Sequence, residues 1–459
     1  MICRLQGHLL DAPNPRQLRS IPDGALIFDT ACGRILASGA VGELEHSPDW
    51  QTACDLTPAT AYPPLILPGF VDAHAHLPQY PAVARHPESL LPWLEKHIFP
   101  LEKHFRGPHT RALTEHFFDD LACHGITCAS LFGALWPEST DEAFAIAEQR
   151  GMRLSLGKVM MDVSSYGEPN PAAALEKSLR ESAELIEQWH GKAHGLLRYA
   201  VSPRFAVTSS AELLKEAATL ADRHGCLIQT HLAENRAELA TVRQRFPEAK
   251  DYTDVYDRAH LLGPRTVLGH AIHLSQREID TIADRGSHVA HCPTSNLFLR
   301  SGLMPLNRLL DAGIAVGLGS DVAGGPELNP WQIMRSAIET QTARHFQSDA
   351  VPLLSPAAAL HLATVGGATV LGLNKVIGTL DAGMDADLIV VDHASCLPPG
   401  TSPGAIPSDY RNDPDTLASL LIHRGHAHCI TAAYVRGRLL APFDSANGDS
   451  PRTHPASKC

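Results

Sequence analysis

Short β-branched or apolar runs alternate with helical stretches along most of this chain, and that alternation restricts the fold more than any other feature. Eight such runs can be read: LILPGFVDAHAH (65–76), ITCASLFG (126–133), RLSLGKVMMD (153–162), LLRYAVSPRF (196–205), CLIQTHLAE (226–234), TVLGHAIHL (266–274), SHVAHCPTSN (287–296) and IAVGLGSDV (314–322). Strand and helix in alternation make a parallel sheet covered by helices, and eight units is the number that closes an α/β fold into a (β/α)8 TIM-type barrel. The segments between carry helix signals. Asn170-Pro171 supplies a cap and a first-turn proline, and Leu175, Leu179, Ala183, Ile186 and His190 follow at helical spacing. Ser209 and Glu212 have the form of a capping box, and Gly225 stands where that helix should stop.

At 459 residues the chain exceeds one ordinary domain. The barrel is expected over 67–375, ending in PAAALHLATVGGATVLGL (356–373). The strand-like flanks, 1–66 and 376–442, pair most economically with each other as a small β-sandwich-like domain, and the polar, aperiodic 443–459 reads as a disordered tail. Between the first two runs, 77–125 is far longer than an ordinary βα loop and holds the aromatic, proline-containing SLLPWLEKHIFPLEKHF (89–105), which suggests a functional loop. Composition excludes several classes. No apolar run approaches the roughly 18 residues of a membrane span. A net charge of -12 opposes polyanion binding, so neither a membrane nor nucleic acid is an expected partner. Ten dilute cysteines without a CxxC pair and an opening segment unlike a signal peptide point to reduced thiols and a cytoplasmic location.

The chain has 26 histidines, and their placement carries more information than their number. In such a barrel the active site forms at the carboxyl ends of the strands. His74 and His76 close the first run as HxH, and residues two apart in a strand project to one side, so both imidazoles can face one metal ion. His231 lies in the fifth run, His270 in the sixth, and Asp321 near the end of the eighth. Each alone has a plain structural explanation: a satisfied core histidine, a turn-forming aspartate. Together at the mouths of four strands they describe a divalent metal held by N and O ligands with a position left open for water, whose pKa such a metal lowers toward about 7. Glu234, three residues past His231, is placed to shuttle protons, although a first-turn helix glutamate would look the same.

PGFVDAHAH, THLAEN, LGHAIHLS, HCPTSN and GLGSDVAGG, in this order, resemble the amidohydrolase superfamily. Within it HLPQY (76–80), LLPWLEKHIFPLE (90–102), GKVMMD (157–162), SPRF (202–205) and SDVAGG (320–325) resemble the guanine deaminase branch. The resemblance implies one zinc ion on His74, His76, His231 and Asp321, with Glu234, His270 and Asp321 catalytic. Gln79 and Arg204 would bond the edge of a purine base, guanine, and Phe205 would pack on its ring. It also implies hydrolysis to xanthine and ammonia, and a homodimer. The fourth run, RYAVSPRF, lacks the lysine that two-metal relatives carboxylate, so one ion is expected, and Lys158 reads as a buried or salt-bridged lysine. Ligand type alone does not separate Zn²⁺ from Fe²⁺. His291 lies near a strand end, and Trp93 and His97 in the long first loop either cover the pocket or simply pack. The alternatives are a sibling hydrolase of another aminated heterocycle (a pterin, an oxidised purine or a triazine) and a non-catalytic scaffold barrel.

Overall fold

All eight runs form strands that pair in sequence as parallel neighbours, from Phe70–His76 round to Val316–Leu318. The computed structural model describes residues 1–58, 62–86, 88–398 and 413–440. The third run is interrupted at Lys158, giving Arg153–Gly157 and Val159–Met160, both paired with Leu197–Pro203. The ring closes through the segment after the last strand: Asp321 N–H donates to the His74 carbonyl at 2.8 Å and His76 N–H to the Val322 carbonyl at 3.0 Å. Buried Asp72 takes the Ser320 N–H and hydroxyl at 3.0 and 2.5 Å, which pins that seam. This is the (β/α)8 TIM-type barrel expected from the alternation.

The first run does not stay in one sheet. Leu65–Pro68 pairs with Ile2–Asn14 and Leu388–Val391 in a second, mixed sheet, and only Phe70–His76 enters the barrel. Both halves are fully buried and run on without a break in the extended pattern, so periodicity could not reveal the change of sheet. Among the described residues the second sheet has eight strands, Leu65–Pro68 with others from the N-terminal flank (Ile2–Asn14, Gln17–Asp29, Arg34–Ala40, Cys54–Asp55) and the C-terminal one (Leu388–Val391, Ile430–Val435, Arg438–Leu439). Bulges bend its long first hairpin, and Leu5, Leu26, Phe28, Leu388, Val390 and Tyr434 gather in its own core. Arg153, from the third barrel strand, locks the two sheets together by pairing with Asp385 and Asp387, each at 2.7 Å, with all three side chains buried. Residues 443–459, read as a tail, lie outside the described residues.

Local signals mostly hold. Asn170 caps Pro171–Trp189 through the Ala173 N–H, and His190 follows as the C-cap rather than belonging to the helix. Helix Ala211–His224 is capped by Ser210, not Ser209: Ser210 accepts the Leu213 N–H, while Ser209 is buried. Gly225 ends it in the left-handed conformation, as expected. The stretch 77–125 contains helical turns at Leu90–Trp93 and Phe99–His104 before the helix His109–Cys123. Leu90, Trp93, Leu94 and Ile98 are buried, so this segment packs down over the barrel. Among the described residues no helix is long and apolar enough to cross a membrane.

Candidate metal-dependent active site

Four side chains named from the sequence meet at the carboxyl ends of the strands. The ligand atoms of His74, His76, His231 and Asp321 all lie within 4.8 Å of one another, and all four residues are buried. His74 and His76 share one side of Phe70–His76 by strand alternation. Close approach of small residues makes room for the first of them: a Cβ on Gly269 would stand 2.8 Å from the His74 ring, and one on Gly319 2.8 Å from its Cβ. His231 comes from Leu227–Leu232 with its ring nearly parallel to that of His76, at a tilt of 20°. Asp321 lies three residues beyond Val316–Leu318, in a loop that holds it at a φ of 49°. His270, at the end of Thr266–His270, has a φ of 68°. Positive φ at two non-glycine residues of one cluster is backbone strain of the kind that functional sites retain.

The donor set suits a cation. The His76 and His231 Nε2 atoms approach to 3.1 Å, and the Asp321 Oδ1 is 3.3 Å from both the His74 and His76 Nε2 atoms. Nδ1 of His231 faces the Arg204 carbonyl at 2.7 Å. A carbonyl only accepts, so this nitrogen carries the hydrogen and the neutral ring turns its lone pair on Nε2 into the cluster. The buried His74 Nε2 has no hydrogen-bond partner, as a nitrogen reserved for a metal would not. Burial pushes His74 down to about 4 and, with His74 and His76 beside it, holds His231 well below the usual histidine range. Burial alone would raise Asp321, but the His74 and His76 rings facing it and the nearby His270 outweigh this and hold it well below the usual carboxylate range. Neutral imidazoles around an anionic carboxylate are the protonation states that bind a divalent ion.

Beside the cluster lies a pocket lined by Gln79, Arg204, Phe205, Glu234 and His270. Glu234 follows strand Leu227–Leu232 and precedes Asn235, the N-cap of Arg236–Arg245, so it is not the first-turn helix glutamate; Glu238 fills that place in the capping box. Its carboxyl takes the Ser301 hydroxyl at 2.7 Å and stands 3.5 Å from the His270 Nε2. Burial raises the Glu234 carboxyl, while Glu234 and Asp321 together overcome burial to raise His270. The pair therefore retains a proton at a higher pH than either ordinary side chain would. Asn296 accepts from His270 Nδ1 at 2.9 Å, and Ser295 donates to the Asp321 Oδ2 at 2.6 Å.

Gln79 and Arg204 are both buried and both line the pocket. Between them sits Glu102, which receives the Gln79 Nε2 at 3.0 Å and the Arg204 Nη1 at 2.5 Å. Burial acts to lower the Arg204 guanidinium, but Glu102 overrides it and holds it above its ordinary value. Trp93 lines the pocket, whereas His97 stands 3.8 Å from Glu88 outside that lining. His291 ends strand His288–His291 but is not among the pocket residues, and burial pushes it down to about 3. Lys158 is buried and paired with Glu181 at 3.2 Å. Sequence reasoning passed over Glu102, Ser295, Asn296 and Ser301. The first three stood inside the quoted motifs LLPWLEKHIFPLE and HCPTSN, and nothing local marks Ser301.

The model of the amidohydrolase family matches residues 65–439, which spans the cluster, the pocket and part of the flanking sheet. The chain belongs to the amidohydrolase family. Among its amidohydrolase relatives, guanine deaminase from Escherichia coli is 35% identical over 435 residues, covering 92% of each chain. A probable guanine deaminase from Deinococcus radiodurans is 36% identical over 379 residues, 82% of this chain and 84% of that one. The crystal structure of guanine deaminase from C. acetobutylicum with guanine bound in its active site superposes with a TM-score of 0.86 at 26% identity, over 96% of this chain and 100% of the other.

Proposed function

We propose that this amidohydrolase is a zinc-dependent guanine deaminase that converts guanine and water to xanthine and ammonia. The observation that carries the reading is the convergence, in one pocket, of a His/His/His/Asp cluster, a buried glutamate and an amide–guanidinium pair. High similarity to guanine deaminases over nearly the whole chain supports the same substrate.

His74, His76, His231 and Asp321 would hold one divalent ion, which when bound supplies Lewis acidity that makes water a nucleophile at neutral pH. Arg204 and Gln79 orient the base by its C6–N1 edge, and Phe205 packs on its ring. Glu234 gives a proton to N3 as water adds to C2, then takes the proton of the new C2 hydroxyl and passes it to the amine, so that the C2–N bond breaks, the C2 carbonyl forms and ammonia leaves; the water proton accepted by Asp321 then restores Glu234. His270, held by Asn296, and the anionic Asp321 orient the water, and Asp321 accepts its proton. Trp93 and Leu90 line the pocket from the long segment after the first barrel strand. The proposal extends to a cytoplasmic homodimer of purine breakdown; no disulfide joins the described cysteines, which suits a reducing compartment. Ammonia release measured with guanine beside a pterin, an oxidised purine and an amino-triazine tests the substrate, and a preference for any of the other three would displace guanine.

A further inference from the structure

Glu102 has no role in the reaction above, yet it is the hub of the pocket's polar wall. It belongs to Phe99–His104 in the covering segment, is 1% exposed, and takes three side-chain donors. Gln79 Nε2 binds one oxygen at 3.0 Å; Arg204 Nη1 and the Tyr166 hydroxyl bind the other at 2.5 and 2.8 Å. A carboxylate facing such donors only accepts. Gln79 must therefore turn its amide nitrogen toward Glu102 and its carbonyl oxygen away. Arg204, engaged through one nitrogen and lying over the Phe99 ring at 5.0 Å, keeps its other N–H groups for the pocket.

We infer that Glu102 is a positioning residue that sets the polarity of base recognition, fixing Gln79 as acceptor beside Arg204 as donor and neutralising the guanidinium. The inference rests on the guanine reading. Guanine presents N1–H next to C6=O, a donor beside an acceptor, which is the complement of that order. 2,6-Diaminopurine reverses both groups on the same edge. Neutralising Arg204 also favours the neutral base over the anion of xanthine, the more acidic product.

The test is Glu102→Gln in the metal-loaded full chain, with rates on guanine and 2,6-diaminopurine, xanthine inhibition, metal content and thermal unfolding. The amide that this substitution introduces can donate as well as accept, so Gln79 is free to flip and Arg204 loses its counter-charge. Metal content should be unchanged. The guanine kcat/KM should fall at least about 10-fold, mainly through KM, and selectivity over 2,6-diaminopurine should narrow by a similar factor, as expected when buried polar pairing is lost. Xanthine inhibition should tighten relative to the guanine KM. Equal losses on both bases, or xanthine weakening in step with guanine, would mark a merely structural residue and overturn the inference, as would an unchanged selectivity in a chain that deaminates guanine. If Glu102→Gln does not fold, Tyr166→Phe, which removes one donor to the same carboxylate, should shift selectivity and xanthine inhibition in the same directions by less; no shift overturns the inference. An unsubstituted protein inactive on guanine would remove the functional reading itself, and this inference with it.

Discussion

Glu234→Gln separates proton transfer from every other contribution of this side chain. Glutamine has the same shape, and its carbonyl oxygen can still accept the Ser301 hydroxyl now 2.7 Å from the carboxyl. Replacing a buried carboxyl by a neutral amide removes no packing, so the stability change should stay within the ~1.5 kcal/mol typical of one hydrogen bond. The pairing with His270, 3.5 Å away, loses its charge, and His270 should titrate lower because Glu234 is the chief group raising it. General acid–base catalysis is typically worth about 10²–10⁴ in rate, and at 1.36 kcal/mol per decade the barrier should rise by about 2.7–5.4 kcal/mol. The assay is ammonia release at saturating guanine, with metal content and the unfolding midpoint measured on the same preparation. A variant with full metal and native stability whose kcat stays within about threefold of the parent, far short of the usual loss, would refute the assignment. Loss of the metal would refute it differently, by placing Glu234 among the ligands.

Chelation should abolish turnover and added Zn²⁺ restore it, and Asp321→Asn should prevent that recovery; turnover by metal-free protein would contradict the cluster's role. Arg153→Leu strips the buried Asp385 and Asp387 of their cation and should cost about 3–5 kcal/mol, read as a lower unfolding midpoint, with activity per folded molecule retained. An unchanged midpoint would show that the two sheets do not depend on this link. His8, buried and bonded to Ser20 at 2.7 Å, is pushed down to about 4 by burial and the nearby His393. Between about pH 6.5 and 4 the unfolded chain takes a proton that the folded one refuses, so stability is full above that window and falls as pH falls through it, by at most ~3 kcal/mol. His8→Gln should flatten that part of the stability curve, and an unaltered slope measured by chemical unfolding would assign the pH dependence elsewhere.

Much of the site was legible because its signals are local. HxH in a strand needs only the two-residue period to put both rings on one side, and GLGSD at the end of an eighth run locates an acidic ligand once the barrel is counted. The resemblance of HLPQY and SPRF then named Gln79 and Arg204. Glu102 was not legible, because LEKHIFPLEKH offers glutamates and lysines at a spacing that suits an exposed helix equally well. The sequence named His270 as a site residue and left His291 open near a strand end: both end barrel strands, and backbone geometry beyond the strand brings only the His270 ring to the pocket.

By itself the sequence determined the barrel, the order of its strands and the chemical types of the metal-site donors, since alternation, strand period and capping act within a few residues of each other. Which sheet Leu65–Pro68 joins, which serine caps Ala211–His224, and that Glu102 is a buried acceptor shared by Gln79, Arg204 and Tyr166 were decided only by the tertiary structure. The physical reason is desolvation. A carboxyl becomes a positioning device only where packing removes water and leaves distant donors as its only partners, and that depends on how the covering segment settles on the barrel mouth.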